Sequence, residues 1–116
     1  MSKNFRRAFF TTPNQTVEFE LTIGDAQFGV SIVKLGEKAL IESHEGSFRL
    51  SLGQAAALVG KELRCHTIVN DIRPEHDHTS VSYRISDGLN TVEGGREEEV
   101  QNKGDVAFYR AAISFR

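Results

Sequence analysis

The sequence predicts an all-β protein, a two-sheet antiparallel β-sandwich of about seven to eight strands with one short helix. Short segments alternate between apolar and polar residues, which is the period of a half-buried strand. Turn signals that contain glycine, aspartate or proline separate these segments. The chain has 116 residues, of which 39% are hydrophobic and 26% charged, so we expect residues 1–116 to form a single domain with its own core. A small barrel is the alternative arrangement of the same strands.

The first half of the chain contains the clearest alternation. The segment "TVEFELTI" predicts a strand whose apolar residues share one face: Val17, Phe19, Leu21 and Ile23. The segment "QFGVSIVKL" begins with Phe28, Val30 and Ile32 as its inward set. Val33 and Leu35 then change the register, which predicts a bulge near Ile32 or burial on both faces.

The second half continues this pattern around one helical stretch. Short strands at 39–43 and 48–52 lead into "GQAAALVGK", where the alanines favour a helix of about two turns between flanking glycines. Three strands follow, with these inward residues: Leu63, Cys65, Thr67 and Val69; Val81, Tyr83 and Ile85; Ala107, Tyr109, Ala111, Ile113 and Phe115. We expect the longest loops at 70–78, where Pro74 excludes a central strand, and at 88–105, where "GGREEEVQNKGD" is glycine-containing and polar.

The two ends of the chain suggest a second buried surface. The segment "KNFRRAFF" carries three phenylalanines that require burial, so we expect residues 1–12 to form an N-terminal arm docked on its own sheet or on a neighbour's. In the closing strand, Phe108 and Ala112 lie on the face opposite the core set. A two-fold homodimer is the commonest way to cover such groups, and packing beneath the 93–105 loop is the alternative.

Two of the four histidines, His76 and His78, are two residues apart in the loop "RPEHDH". In an extended segment they project to the same side and could chelate Zn²⁺, with Glu75 or Asp77 adding a carboxylate. A structural zinc site needs four ligands and a catalytic site at least three, and the sequence shows no second ligand pair at a defined spacing. We therefore interpret the segment as a polar exposed loop and retain the zinc site as the alternative.

No other pattern predicts catalysis. Cys65 faces the core of its strand, and His66 points to the opposite face, which separates the thiol from its nearest base. The acidic cluster of Glu93 and 97–99 lies in the predicted loop, whereas a glycosidase needs two carboxylates held on rigid elements. The signatures GxSxG and HExxH are absent from the chain, so we do not expect an enzyme.

The net charge and the single cysteine restrict the class of partner. A net charge of −2 provides no field for nucleic acid or an anionic membrane, and one cysteine requires no oxidising compartment, so we expect a cytoplasmic protein. We predict a non-enzymatic interaction or structural domain without a cofactor, which binds a protein partner or a second copy of itself through end loops. The candidate binding residues are Arg73, Glu75, His76, Asp77, His78 and Arg96. The alternative is a metal- or small-ligand-binding domain centred on the histidines of the 73–78 loop.

Overall fold

The computed structural model of the protein describes residues 2–24, 27–70, 78–99 and 106–116. These residues form nine strands and one short helix. The strands are β1 (Ser2–Phe9), β2 (Thr16–Ile23), β3 (Phe28–Leu35), β4 (Lys38–Glu45), β5 (Phe48–Gln54), β6 (Glu62–Asn70), β7 (His78–Ser86), β8 (Thr91–Glu99) and β9 (Val106–Phe115). The helix α1 (Ala55–Leu58) follows β5 directly, and its four residues are fewer than the two turns that the sequence predicts.

The described strands are arranged in two sheets, which confirms the predicted all-β sandwich. The first sheet has the strand order β1-β9-β6-β3-β4, and the second has the order β5-β2-β7-β8. Seven of the strands correspond to the segments predicted from alternation. The other two, β1 and β8, lie in the predicted N-terminal arm and in the predicted 88–105 loop.

The N-terminal segment is an edge strand of the first sheet. Strand β1 pairs with β9 in parallel, whereas the other pairs between described strands are antiparallel. Phe5 and Phe9 are buried, and Phe10, just beyond the strand, is 67% exposed. The segment therefore docks on its own sheet, one of the two placements that the sequence allowed.

The prediction of a loop throughout 88–105 is wrong, because strand β8 occupies Thr91–Glu99. It pairs with β7 in continuous antiparallel register from Thr91 opposite Ser86 to Glu99 opposite His78. Glycine and glutamate are uncommon in central strands, but β8 is the last strand of the second sheet in the described residues and has a solvated edge. Charged side chains on such an edge also discourage pairing with another chain.

The core lies between the inner faces of the two sheets. The residues predicted to point inward from β6, β7 and β9 are all buried, as are Val17, Phe19 and Leu21 of β2. For β3 the predicted inward set is wrong. Phe28 and Ile32 are 38% and 46% exposed, while residues 29, 31 and 33 are buried. The register between β3 and β4 does shift on either side of Val33, close to the predicted bulge.

A serine occupies the buried face of β3 because its hydroxyl finds a partner. Ser31 Oγ and Thr67 Oγ1 of the adjacent strand β6 are hydrogen-bonded at 2.8 Å. The pair satisfies both hydroxyl groups inside the sandwich, which removes most of the cost of burying them. This pairing leaves the larger apolar residues of β3 on the outer face of the first sheet.

Candidate interaction surface

The predicted binding loop is only partly covered by the described residues. Arg73, Glu75, His76 and Asp77 lie outside the described residues, so the zinc site at His76 and His78 stays a prediction. His78 is the first residue of β7, and its side chain is exposed. Its carbonyl oxygen accepts a hydrogen bond from Gln27 Nε2 at 3.1 Å. Within the described ranges, no group of three or more histidine, cysteine, aspartate or glutamate side chains is arranged to hold a metal ion.

Arg96, the remaining predicted binding residue, connects the edges of the two sheets. From β8 it donates a hydrogen bond from Nε to the carbonyl oxygen of Asn4 in β1, at 2.8 Å. Its guanidinium also lies over the ring of Phe5, with 5.4 Å between the guanidinium carbon and the ring centroid. Arg96 thus satisfies a backbone acceptor on the edge of β1, a structural contact that sequence alternation could not predict.

The cysteine is an interior residue, as the alternation of β6 predicts. Burial raises the pKa of the Cys65 thiol to about 11, while hydrogen bonds from Thr67 and Ser31 act in the opposite direction. A thiol with this pKa is almost entirely protonated at neutral pH, and the thiolate is the nucleophilic form. Cys65 is therefore suited to core packing rather than to covalent catalysis.

The outer face of the second sheet is polar, and its charges alternate. Arg49 of β5 lies opposite Glu20 of β2, which lies opposite Arg84 of β7, and Arg84 in turn lies opposite Glu93 of β8. Arg49 contacts Glu20 at 3.3 Å, and Arg84 contacts Glu93 at 3.6 Å. Cross-strand pairs of opposite charge suit a solvated sheet surface, so this face needs no partner.

The outer face of the first sheet is apolar at one end. Five of its side chains are between 38% and 46% exposed, and we call them the apolar patch: Phe28, Ile32, Ile68, Val106 and Phe108. Strand pairing places Ile68 at the centre of the patch, directly opposite Phe108 on one side and the half-buried Val30 on the other. Ile32, Ile68 and Phe108 also line a shared shallow depression of about 470 Å³. Contiguous exposed apolar groups of this kind mark interaction surfaces.

The part of the same face next to the apolar patch is basic. A depression of about 410 Å³ has one acidic residue, Glu62, and three small or apolar residues, Phe5, Ala111 and Ala112, in its lining. The other residues that line it are polar or basic, and we call them the basic depression: Asn4, Arg6, Arg64, His66 and Arg110. Partial burial lowers the pKa of His66, and the neighbouring positive charges of Arg110, Arg64 and Lys34 lower it further. His66 is therefore mostly neutral at pH 7, when it presents one N–H donor and one nitrogen acceptor.

Alternation predicted parts of this surface but not the whole. It placed Phe108 and Ala112 on the outer face of β9, whereas it assigned Phe28 and Ile32 to the core. The signal for the correct assignment was weak, because both faces of β3 carry large apolar residues. Which face turns outward depends on the pairing of β3 with β6, and this pairing is not visible in the sequence of β3 alone.

Comparisons with known proteins add no functional information. Protein-family models, curated protein sequences and solved structures yield no significant match to the chain. Among the described residues, no helix is long and apolar enough to cross a membrane.

Proposed function

We propose that the protein is a non-enzymatic interaction domain that forms a homodimer through the apolar patch. The observation that supports the proposal is the difference between the two outer faces. The second sheet carries alternating charges that contact one another, whereas the first sheet exposes Ile32, Ile68 and Phe108 side by side. An interaction surface requires desolvation of apolar groups at its centre, and only the first of these two faces offers them.

The size of the face sets an upper limit on the dimer contact. Strands spaced ~4.8 Å apart, with a rise of ~3.3 Å per residue, give the five paired strands an outer face of roughly 20 by 26 Å. Specific interfaces bury ~800 Å² per partner. The projected face is smaller than this and includes the basic depression, so a contact centred on the apolar patch belongs to the class of small interfaces. Face-to-face packing of sheets also matches the way the two sheets of the sandwich pack.

Two-fold symmetry is compatible with the charge of this face. The apolar patch and the basic depression adjoin on the first sheet, because His66 and Arg110 line both depressions and Ile32 lies opposite His66. A two-fold axis through the apolar patch would place the two basic depressions on opposite sides of the axis. Apolar groups would then meet apolar groups, while the arginines of the two copies would remain apart.

The test is the mass of the protein in solution, measured by light scattering during size exclusion and by sedimentation equilibrium. We expect a mass of twice 12.9 kDa for the unmodified chain. Ile68→Lys and Phe108→Lys each place a charge at the centre of the apolar patch, and each should raise the dissociation constant on the order of a hundredfold. Leu89→Lys, which changes an exposed apolar residue outside the patch, is the matched control and should leave the mass unchanged.

Three outcomes would contradict the proposal. The first is an unmodified chain that stays monomeric at high micromolar concentration. The second is a dimer that Leu89→Lys weakens as much as Ile68→Lys does. The third is a different assembly, or stable association only with another protein, which would reject the homodimer. Circular dichroism during heating checks that each variant is folded, so that a loss of mass can be assigned to the interface.

A further inference from the structure

We propose that the basic depression on the outer face of the first sheet is a binding site for a tetrahedral oxyanion, a phosphate group in particular. This proposal does not rest on the homodimer, because the cations Arg6, Arg64 and Arg110 are not members of the apolar patch. The site is assembled by three strands, β1, β6 and β9, which lie next to one another in the sheet. Sequence alternation gave no sign of it, because its cations are far apart along the chain.

Strand register places the cations around a small residue. Arg6 and Arg64 lie on either side of Ala112, each directly opposite it in a neighbouring strand. One pleat further along, Arg110 lies between Asn4 and His66 in the same way. Since adjacent strands are ~4.8 Å apart, the two flanking arginines start ~10 Å apart at the backbone. Their long side chains can converge above the alanine, which leaves room for a ligand.

The positive charge in the depression is only partly neutralised. Arg64 Nε contacts Glu62 Oε1 at 2.6 Å. Among the ion pairs between described residues, neither Arg6 nor Arg110 has a carboxylate partner. On the outer face of the second sheet, by contrast, Arg49 and Arg84 each contact a glutamate. Cations adjacent across strands repel one another, so an anion that enters the depression would relieve this repulsion.

The chemistry of the side chains favours a phosphate group. Guanidinium groups present paired N–H donors whose spacing matches two oxygens of a phosphate. The Asn4 amide can donate a further hydrogen bond, and His66 can donate one from its ring. A volume of about 410 Å³ accommodates more than a bare ion, so a small phosphate monoester fits as well as inorganic phosphate.

His66 makes the proposed binding dependent on pH. The charged groups that lower its pKa are Arg64 on its own strand, Arg110 on β9 and Lys34 on β3. Glu62, the carboxylate in the lining of the depression, is paired with Arg64. A bound dianion would oppose the positive charges and favour the protonated imidazole. Binding should therefore strengthen as the pH falls through the lowered pKa of His66.

The experiment is a titration of the full chain with inorganic phosphate at constant ionic strength and pH, followed by nuclear magnetic resonance of ¹⁵N-labelled protein. We expect saturable shifts confined to residues that border the basic depression. The double variant R6Q/R110Q should lower the affinity at least tenfold. The matched control, R49Q/R84Q, removes the same charge from the second sheet and should leave the affinity within about twofold, because long-range effects of surface charge are screened by salt.

Two further arms of the titration identify the source of the phosphate group and the role of His66. Phenyl phosphate in place of inorganic phosphate shows whether a monoester binds more tightly than the free ion. Sulfate keeps its charge between about pH 5 and 8, the range in which histidine commonly titrates. A change of sulfate affinity with pH can therefore be assigned to the imidazole rather than to the ligand. We expect sulfate affinity to rise as the pH falls, and the variant His66→Gln to flatten this profile.

Some results of the titration would reject the whole site, and one would reject only the role of His66. Shifts that increase linearly without saturation, or an equal loss of affinity in R6Q/R110Q and R49Q/R84Q, would reject the site. Retained saturable binding in R6Q/R110Q would also reject it. A sulfate profile that is flat in the unmodified protein would remove His66 from the proposed ligand set. The mass measurements on the homodimer do not enter any of these results, so either proposal can fail without the other.

Discussion

Two buried tyrosines differ in how their hydroxyl groups are satisfied. Tyr109 OH and Thr79 Oγ1 are hydrogen-bonded at 2.6 Å. Tyr83 OH is buried and has no hydrogen-bond partner among the described residues, and burial raises the pKa of this phenol. The ring of Tyr83 is nevertheless well packed, since it stacks on Phe5 with 4.8 Å between the ring centroids. The aromatic contacts of Tyr83 therefore stabilise the core, whereas its buried hydroxyl group does not.

This difference predicts opposite effects for the same substitution. Tyr83→Phe removes an unsatisfied hydroxyl, so it should leave the free energy of unfolding unchanged or raise it by up to about 1 kcal/mol. Tyr109→Phe removes a hydrogen bond and should lower the free energy of unfolding by about 1 kcal/mol. Urea unfolding followed by circular dichroism measures both. A loss in Tyr83→Phe as large as in Tyr109→Phe would show that the hydroxyl of Tyr83 has a partner.

At the scale of the elements, the edge formed by β1 and β8 is the least expected feature of the fold. The ring of Phe5 in β1 lies directly against Gly94 of β8. Arg96, which is also in β8, donates a hydrogen bond to the backbone of β1. A side chain at position 94 would collide with the Phe5 ring, which is itself held against Tyr83. The glycine of β8 therefore permits the close approach of the two sheets at this edge.

We expect Gly94→Ala to lower the free energy of unfolding by about 1–3 kcal/mol, because the Phe5 ring cannot move without disturbing the core. Gly95→Ala is the matched control in the same strand. An added methyl group there meets the carbonyl oxygen of Val81 at 3.3 Å, which a small backbone shift can relieve. Urea unfolding of both variants tests the prediction. Equal losses would show that the alanine side chain itself, rather than the contact with Phe5, weakens β8.

At the scale of the whole molecule, Cys65 reports on the opening of the sandwich. It belongs to β6, which lies between β9 and β3 in the first sheet, and its side chain is in the core between the sheets. Its high pKa and its burial both prevent reaction with thiol reagents in the folded state. Reaction therefore requires that the two sheets separate.

We predict that labelling of Cys65 by an aromatic disulfide reagent is limited by global unfolding. The free energy obtained from the labelling rate at pH 8 should match that from urea unfolding, and its dependence on urea should have the same slope. The labelling rate of the urea-unfolded chain provides the reference for the free thiol. Fast labelling that does not depend on urea would contradict the prediction, because it would show that the reagent reaches Cys65 through local opening of the sheet.

Alternation of apolar and polar residues was enough to predict most of the strands and most of the core. It works where one face of a strand is apolar and the other polar, as in β2 with Val17 and Phe19 against Glu18 and Glu20. In such strands the hydrophobic effect acts on each residue separately, so local sequence specifies the buried face. The two-sheet sandwich, the inward cysteine and the outward Phe108 all follow from this local rule.

Other features depended on the tertiary structure, because they are relations between distant segments. The apolar face of β3 was assigned wrongly since Ser31 pairs with Thr67, which lies 36 residues away and is not part of the local pattern. Strand β8 was taken for a loop because its glycines and glutamates disfavour strands, yet Phe5 of β1 packs against Gly94. The basic depression combines residues 6, 64, 66 and 110, which only strand pairing brings together. The preference of each side chain for the core or for water gives each strand its alternating pattern. Long-range strand pairing then determines which face of a strand is buried and which is exposed.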